Sequence, residues 1–151
     1  MMLKMAQRTF EDKILLVITA AATLILLPFL ISSVISGDRA NIIVDGIAVG
    51  GFFIVFIGVL TTRKIKFFNG LFATIAYITI LSGIYIKGAG LIYWLFPIVI
   101  ASFYLLSTLV ACLLNFLLIS IAFLFTYDQF DDFTLPRIFA ALAITVIFSL
   151  I

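Results

Sequence analysis

A long uncharged stretch in the second half of the chain constrains the fold more than any other feature. No residue with a formal charge lies between Lys87 and Asp128, and most residues of this interval are apolar. A helix needs only about 20 apolar residues to cross the ~30 Å hydrocarbon core of a bilayer. The stretch is therefore too long for one crossing, and we predict two antiparallel helices that reverse direction near Ser107 and Thr108.

The composition of the whole chain indicates its class. Hydrophobic residues make up 66% of the sequence and charged residues 11%, whereas soluble domains contain roughly 25% charged residues. The apolar residues form long blocks without the alternation of membrane barrel strands, so the spanning elements are expected to be helices. We predict an all-α integral membrane protein that contacts membrane lipid. Soluble enzymes are excluded, and the small net charge of +2 does not indicate nucleic-acid binding.

The apolar blocks predict six transmembrane helices in a single membrane module, residues 1–151. Short turns separate the blocks, and most of these turns contain glycine or charged residues. Pro28 and Pro97 fall inside the first and fourth predicted helices, where proline removes a backbone hydrogen bond and is expected to kink the helix. The predicted helices are residues 14–35, 42–60, 67–86, 91–106, 109–126 and 135–151.

Basic residues are distributed unevenly between the two sides of the six-helix arrangement. Because Lys and Arg are enriched in cytoplasmic loops, the side with more of them is expected to be cytoplasmic, and it carries both termini. The basic turn before the third helix is interpreted as an orientation signal, which is compatible with contact to anionic lipid headgroups. The cytoplasmic set is Lys4, Arg8, Lys13, Arg63, Lys64 and Lys66, and the outer set is Arg39, Lys87 and Arg137.

Polar residues and glycines within the apolar blocks are candidates for specific roles. Asn115 is the most costly side chain to place in hydrocarbon, so it is expected to face the bundle, either bonding between helices or contacting a ligand or proton path. Asp45, near the outer end of the second helix, is expected to be solvated by headgroups. Glycines of the second helix favour close helix packing over a ligand groove. They are Gly46, Gly50, Gly51 and Gly58.

The sequence contains no catalytic or metal-binding pattern. There is no His, and the single Cys112 has neither a nearby His for a metal site nor a second Cys for an internal disulfide. Asp128, Asp131 and Asp132 lack the Gly and the terminal Glu of a calcium loop and are interpreted as a solvated acidic turn. We therefore expect no enzymatic activity, no cofactor and no metal in this segment. The sixth helix ends at Ile151 without a Lys or Arg to anchor it, so a cytoplasmic output domain is expected to follow.

Residues that are mostly aromatic, glycine or proline follow a characteristic order in the second half of the chain. They are Gly88, Gly90, Tyr93, Trp94, Phe96, Pro97, Phe103, Tyr104, Leu105, Leu106, Ala111, Asn115, Arg137 and Phe139. This order resembles the N-terminal multi-helix sensory region of bacterial diguanylate cyclases, and a related arrangement heads some membrane histidine kinases. The resemblance covers residues 87–151, and the first three helices share only their hydropathy with that region.

The resemblance implies a multi-pass sensor of the bacterial inner membrane that controls how two cytoplasmic output domains meet. Each of two half-sites of a cyclase contributes one nucleotide, so the full-length protein would act as a homodimer that forms cyclic di-GMP. The Gly-Gly-Asp/Glu-Glu-Phe signature of the cyclase domain is absent from this segment. Catalysis is therefore not assigned to these residues.

We predict that the sensing site lies in the outer half of the bundle and takes a small-molecule or lipid ligand, such as a quinone or an autoinducer-like molecule. The candidate residues are Tyr93, Trp94, Asn115 and Arg137, with Asp131 and Asp132 expected to modulate Arg137. Two other functions stay open. A small transporter or channel would carry an ionisable residue near mid-membrane or inverted repeats with interrupted helices. A membrane assembly subunit without a ligand is favoured by the glycine-rich second helix.

Overall fold

The structure, a computed structural model, describes residues 10–62, 64–131 and 134–150, apart from the side chain of Glu11. Every regular element in these ranges is helical, which confirms the all-α class. The α-helices are α1 (Phe10–Ser36), α2 (Arg39–Thr61), α3 (Ile65–Lys87), α4 (Leu95–Leu105), α5 (Thr108–Thr126) and α6 (Thr134–Ser149), and two 3₁₀ helices cover Ala89–Trp94 and Tyr127–Gln129.

Four helical segments are long and apolar enough to cross a bilayer. They are Asp12–Ser36, Arg39–Thr61, Ile65–Lys87 and Thr108–Gln129. Two further apolar segments, Ala89–Leu105 and Thr134–Ser149, are shorter. Large apolar side chains on the outer surfaces of these helices are exposed, as expected for helices that face lipid rather than water.

The chain divides into two compact units between Ile75 and Ala76, within α3. In the first unit, α1 and α2 form a helical hairpin. Gly37 ends α1 with a φ of 71°, a left-handed conformation that glycine adopts without steric cost. Asp38 caps α2, because its side chain accepts a hydrogen bond from the backbone N–H of Asn41 at 3.2 Å.

One face of α2 forms most of the core of the first unit. Buried residues recur at spacings of three or four along this helix, as an amphipathic packing face requires. Phe52 of α2 packs against Phe72 of α3 with ring centroids 5.0 Å apart. The buried residues of α2 are Val44, Asp45, Ala48, Val49, Phe52, Val55 and Val59.

The core of the second unit draws on the second half of α3, the first 3₁₀ helix, α4, α5 and α6. Branched aliphatic side chains fill most of it, and α6 packs against both α4 and α5. The core residues are Ile80, Ile84, Ile92, Leu95, Val99, Leu118, Ala122, Ile138 and Leu142.

The uncharged stretch divides at Leu106 and Ser107, and α5 returns alongside α4. We predicted one α-helix over 91–106, whereas the structure has a 3₁₀ helix followed by the shorter α4. The reason is Pro97, which has no N–H to donate to the carbonyl of Tyr93 and is tolerated in the first turn of a helix. Pro97 therefore lies near the start of α4, while α1 runs without interruption through Pro28.

Hydrogen bonds from the side chain of Gln129 connect the turn after α3 to the end of α5. Gly88 adopts a φ of 87° at this turn. The backbone N–H of Ala89 donates to Gln129 Oε1 at 2.8 Å, and Gln129 Nε2 donates to the carbonyl oxygen of Phe125 at 3.0 Å. One side chain thus satisfies backbone groups of two segments at the same end of the unit.

Candidate functional site

A chain of hydrogen bonds runs through the apolar core of the second unit. The Tyr77 hydroxyl donates to Asn115 Oδ1 at 2.9 Å, and Asn115 Nδ2 donates to Ser102 Oγ at 2.7 Å. The Ser102 hydroxyl then donates to the carbonyl oxygen of Val99 at 2.7 Å. We call Tyr77, Asn115 and Ser102 the polar chain. It connects side chains of α3, α5 and α4 and ends on the backbone of α4.

The local sequence explains why these side chains point inward. Ser102 lies three residues after Val99 and three before Leu105, both buried on the packing face of α4. Asn115 lies between Ala111 and Leu118, which are buried at spacings of four and three on α5. Ser102 and Asn115 therefore occupy positions where apolar residues would otherwise pack.

Burial makes these hydrogen bonds obligatory. Asn115 is 0% exposed, and Ser102 is buried beside it. A polar group without a partner in hydrocarbon is unfavourable, so the hydrogen bonds from both neighbours stabilise the amide in this position. The prediction placed Asn115 inside the bundle, and the structure assigns it bonding between helices.

The polar chain is suited to binding rather than to catalysis. It presents a hydroxyl, an amide and a second hydroxyl in series, groups that can both donate and accept hydrogen bonds. A ligand hydroxyl could take the place of the Tyr77 hydroxyl as donor to Asn115 Oδ1, and a ligand carbonyl could take the place of the Ser102 hydroxyl as acceptor from Asn115 Nδ2. No His, Cys, Asp, Glu or Lys contributes to these hydrogen bonds.

The structure does not bring the aromatic candidates to Asn115. Tyr93 and Trp94 are 58% and 40% exposed at the end of the first 3₁₀ helix. Ser102, the α4 partner of Asn115, follows Trp94 by eight residues, which corresponds to about 12 Å along a helix axis. The two aromatic rings are therefore exposed near the start of α4 and do not contribute to the polar chain.

The acidic and basic candidates lie around the start of α6. Arg137 is exposed in the first turn of this helix. Asp131 Oδ2 accepts a hydrogen bond from the N–H of Thr134, the first residue of α6, at 3.2 Å, as helix-capping carboxylates do. Asp132 lies outside the described residues, as do Lys4, Arg8 and Arg63 of the predicted cytoplasmic set.

The glycines of α2 have different neighbours. A Cβ at Gly58 would overlap the ring of Phe68, and a Cβ at Gly51 would lie 3.0 Å from Ile75 of α3. A Cβ at Gly46 would meet Leu30 of α1 at 3.9 Å, whereas Gly50 has no such neighbour within 4 Å. Close packing therefore depends on Gly51 and Gly58, against side chains rather than a helix backbone.

The expectation that Asp45 is solvated is wrong. Asp45 is only 5% exposed, and its Oδ2 accepts a hydrogen bond from Ser33 Oγ at 2.6 Å. The reason is geometric: the tight turn at Gly37 brings the end of α1 against the start of α2, so Asp45 faces α1 instead of the headgroups. An ionisable side chain inside a membrane hairpin is a candidate functional residue.

Sequence reasoning missed three of the residues in these clusters, namely Tyr77, Ser102 and Ser33. The available signal was helical spacing. Ser102 shares the buried face of α4, and Ser33 and Asp45 lie in the two helices that the Gly37 turn joins. A hydropathy value averaged over a window of residues does not identify a single polar residue within an apolar helix.

In the described ranges, each of the two helical units contains a buried side-chain hydrogen bond between helices, and four helices are long and apolar enough to cross a membrane. Among the residues that the structure describes, no group of three or more His, Cys, Asp or Glu side chains could hold a metal ion. No family model, curated protein or solved structure matches the chain. Its function is therefore inferred from the geometry of its own residues.

Proposed function

We propose that the chain is a sensory and anchoring module in the inner membrane of a bacterium. It crosses the membrane six times with both termini in the cytoplasm, and α6 passes a signal to an output domain such as a diguanylate cyclase. The observation that supports this role is the polar chain, which holds α3, α4 and α5 together in the unit that also contains α6.

The two shorter segments are compatible with six crossings. The six residues of the 3₁₀ helix and the eleven of α4 would together reach about 28 Å if collinear, close to the ~30 Å hydrocarbon thickness. The sixteen residues of α6 reach about 24 Å, a mismatch that local thinning of the bilayer accommodates at modest cost.

The packing of the second unit supplies a path from the polar chain to α6. Leu118, three residues after Asn115 on α5, belongs to the same core cluster as Leu142 of α6. Val99, whose carbonyl ends the polar chain, also belongs to it. Because a close-packed core responds to a shift by repacking rather than by stretching, movement of α4 or α5 is transmitted to α6.

Ligand binding would work by competition for hydrogen bonds. An interhelical hydrogen bond in a membrane protein contributes on average about 0.6 kcal/mol, so a ligand that replaces the Tyr77 hydroxyl needs little binding energy to displace it. The ligand must bind one helix arrangement more tightly than the other. A difference of about 1.4 kcal/mol in binding free energy changes the ratio of the two arrangements tenfold. A lipid or an autoinducer-like molecule with a hydroxyl or N–H group has the apolar body and the donor that replacing Tyr77 requires, whereas the carbonyl of a quinone can only accept and would have to replace Ser102.

A small transporter or channel is the second candidate function, and Asp45 favours it. This carboxylate is buried in a helix that is long enough to span the bilayer, and such residues often line ion or proton paths. Proteoliposomes that contain only this protein, loaded with a pH-sensitive dye, test it. Proton flux that the Asp45→Asn variant abolishes would favour transport over sensing.

Cysteine cross-linking of α6 tests the sensory role. In a Cys112→Ser background, single cysteines replace Ile144, Ile147 and Phe148, which are exposed on α6. We expect oxidation in native membranes to link two copies at a subset of these positions, and Asn115→Leu to change that subset. The matched control is Tyr104→Phe, an exposed site on α4.

Two results would count against the proposal. An identical cross-linking pattern with and without Asn115→Leu would show that the polar chain does not influence α6. The absence of cross-links at all three positions would argue against a dimer that passes signals through this helix.

A further inference from the structure

The first third of α3 contains a buried side-chain amide whose oxygen has no hydrogen-bond partner. Asn69 is only 5% exposed, and within the part of the chain that the structure describes its Oδ1 accepts no hydrogen bond. The nearest buried residues of the same helix, Phe68, Phe72 and Ala73, carry no donor in their side chains. Buried polar atoms in folded proteins are nearly always paired, so this oxygen indicates a place where a donor binds.

Asn69 lies close to one surface of the membrane. It follows Ile65, the first residue of α3, by four residues, which corresponds to about 6 Å along the axis. The 23 residues of α3 span about 34 Å, slightly more than the ~30 Å hydrocarbon core. If α3 is centred in the bilayer, Asn69 lies near the boundary between hydrocarbon and headgroups, within reach of a lipid headgroup.

Two lysines precede Asn69 at this end of α3. Lys64, directly before the helix, and Lys66, in its first turn, are both exposed, and this turn contains no acidic residue. Lys66 lies three residues before Asn69, a spacing that makes two side chains neighbours on a helix surface. Basic residues at a membrane surface attract anionic headgroups. A ligand that meets both side chains therefore carries a negative charge as well as a hydrogen-bond donor.

Gly70 leaves an opening beside Lys66 and Asn69. It follows Lys66 by four residues, and a Cβ at this position would meet nothing within 4 Å. Thr74, one turn further along, is exposed, and its hydroxyl donates to the carbonyl oxygen of Gly70 at 2.9 Å, so its polar group is satisfied within the helix. The surface from Gly70 to Thr74 can thus accommodate an acyl chain below a headgroup held at Lys66.

We propose that the start of α3 binds an anionic phospholipid whose headgroup carries a hydroxyl group, such as phosphatidylglycerol. The phosphate oxygens accept hydrogen bonds from Lys64 and Lys66, and the acyl chain lies along Gly70 and Thr74. The headgroup hydroxyl donates to Asn69 Oδ1, because the phosphate diester and ester oxygens of a lipid can only accept. The terminal torsion of asparagine is broad, so Oδ1 can turn toward the bound headgroup. The proposal does not depend on the sensory role and would apply equally to a transporter or an assembly subunit.

Native mass spectrometry of the full chain with three lipids tests the proposal, because it counts bound lipids and gives their dissociation constants. The lipids have the same acyl chains. They are phosphatidylglycerol, phosphatidylmethanol, which is an anionic diester without a hydroxyl, and phosphatidylcholine, which has no net charge and no donor. We expect phosphatidylglycerol to bind about fivefold more tightly than phosphatidylmethanol, through one additional hydrogen bond. Phosphatidylmethanol should bind at least about fivefold more tightly than phosphatidylcholine, because of the lysines.

Three substitutions separate the parts of the site. Asn69→Leu should lower the affinity for phosphatidylglycerol to that for phosphatidylmethanol and leave the latter unchanged. Lys66→Gln should weaken binding of both anionic lipids equally, by about fivefold. Gly70→Leu fills the opening and should weaken both as well. The matched control is Lys87→Gln, which removes an exposed lysine from the last turn of α3 and should change neither affinity.

Three outcomes would overturn the proposal. Equal binding of phosphatidylglycerol and phosphatidylmethanol by the unmodified protein would show that no headgroup hydroxyl contacts the amide, and this comparison does not depend on the folding of any variant. Equal binding of all three lipids would show that the headgroup is not recognised. Equal losses in Lys66→Gln and Lys87→Gln would show a general effect of charge rather than a site at the start of α3.

Discussion

The Tyr77 hydroxyl on α3 bonds to Asn115 Oδ1 on α5, 38 residues further along the chain. This contact, continued through Ser102, connects three helices that also share a cluster of buried apolar side chains. Apolar packing in lipid has little directional preference, because lipid tails are as apolar as the side chains. The polar chain therefore specifies how these helices are rotated about their axes.

Removing the polar chain should lower stability in steps. Tyr77→Phe deletes one donor and should cost about 0.6 kcal/mol of the free energy of unfolding. Asn115→Ala should cost more, about 1–3 kcal/mol, because it leaves the Tyr77 hydroxyl without its acceptor and Ser102 without its donor. Unfolding in mixed detergent micelles, followed by circular dichroism, measures both values.

The control for this series is Tyr104→Phe, which removes the same hydroxyl at an exposed position of α4. It should change the free energy of unfolding by less than about 0.3 kcal/mol. A double-mutant cycle between Tyr77→Phe and Asn115→Ala should give a coupling energy of about 0.6 kcal/mol, and additive effects would contradict the bond.

Alanine at two glycines of α2 should have opposite effects. Gly58→Ala places a methyl group inside the ring of the buried Phe68 and should destabilise the protein by about 1–3 kcal/mol. Gly50→Ala meets no neighbour within 4 Å and should be neutral or stabilising by up to about 1 kcal/mol, because alanine is the better helix former. Phe68→Leu should partly rescue Gly58→Ala. Equal effects at the two glycines would contradict the packing.

Gln129 should slow hydrogen exchange of the backbone amide of Ala89, in the turn after α3. Gln129→Ala removes the acceptor of the Ala89 N–H, worth about 1 kcal/mol, so this amide should exchange with deuterium roughly fivefold faster. Gln129→Glu keeps an acceptor and should preserve most of the protection. Hydrogen exchange in nanodiscs measures the difference, with Asp128→Asn as the neighbouring control. An unchanged exchange rate of the Ala89 amide in Gln129→Ala would contradict this hydrogen bond.

The six-crossing arrangement predicts opposite sides for two turns. In a Cys112→Ser background, a membrane-impermeant maleimide should label Asp128→Cys on intact spheroplasts. It should label Thr62→Cys only after lysis. Both residues are exposed, Thr62 directly after α2 and Asp128 in the second 3₁₀ helix, so accessibility depends on the side of the membrane alone. Labelling of both from the same side would show that the uncharged stretch crosses the bilayer an odd number of times.

Much of the architecture followed from local sequence properties. Apolar blocks predicted an all-helical protein because hydropathy sums over adjacent residues, whatever lies elsewhere in the chain. Gly37 and Gly88 marked helix ends for a similarly local reason, since a left-handed conformation is a property of one residue. Pro97 lies in the first turn of α4, because a proline tolerated in a first turn looks the same in sequence as one inside a helix and the sequence did not locate the start of this helix.

The buried polar sites depend on contacts between residues on different helices, which the local properties of the sequence do not predict. Asn115 was expected to face inward, yet its partners Tyr77 and Ser102 depend on the rotation of three helices about their axes. Asp45 was expected near headgroups, and only the packing of α1 against α2 buries it beside Ser33.

The sequence by itself determined that this chain is helical, apolar enough to cross a bilayer and interrupted within its uncharged stretch. Tertiary structure decided which polar side chains meet and which glycines are tightly packed. The physical reason is that helix formation and partition into lipid depend on neighbouring residues and on summed transfer free energies. Hydrogen bonds between helices require a specific rotation and offset, which long-range packing sets.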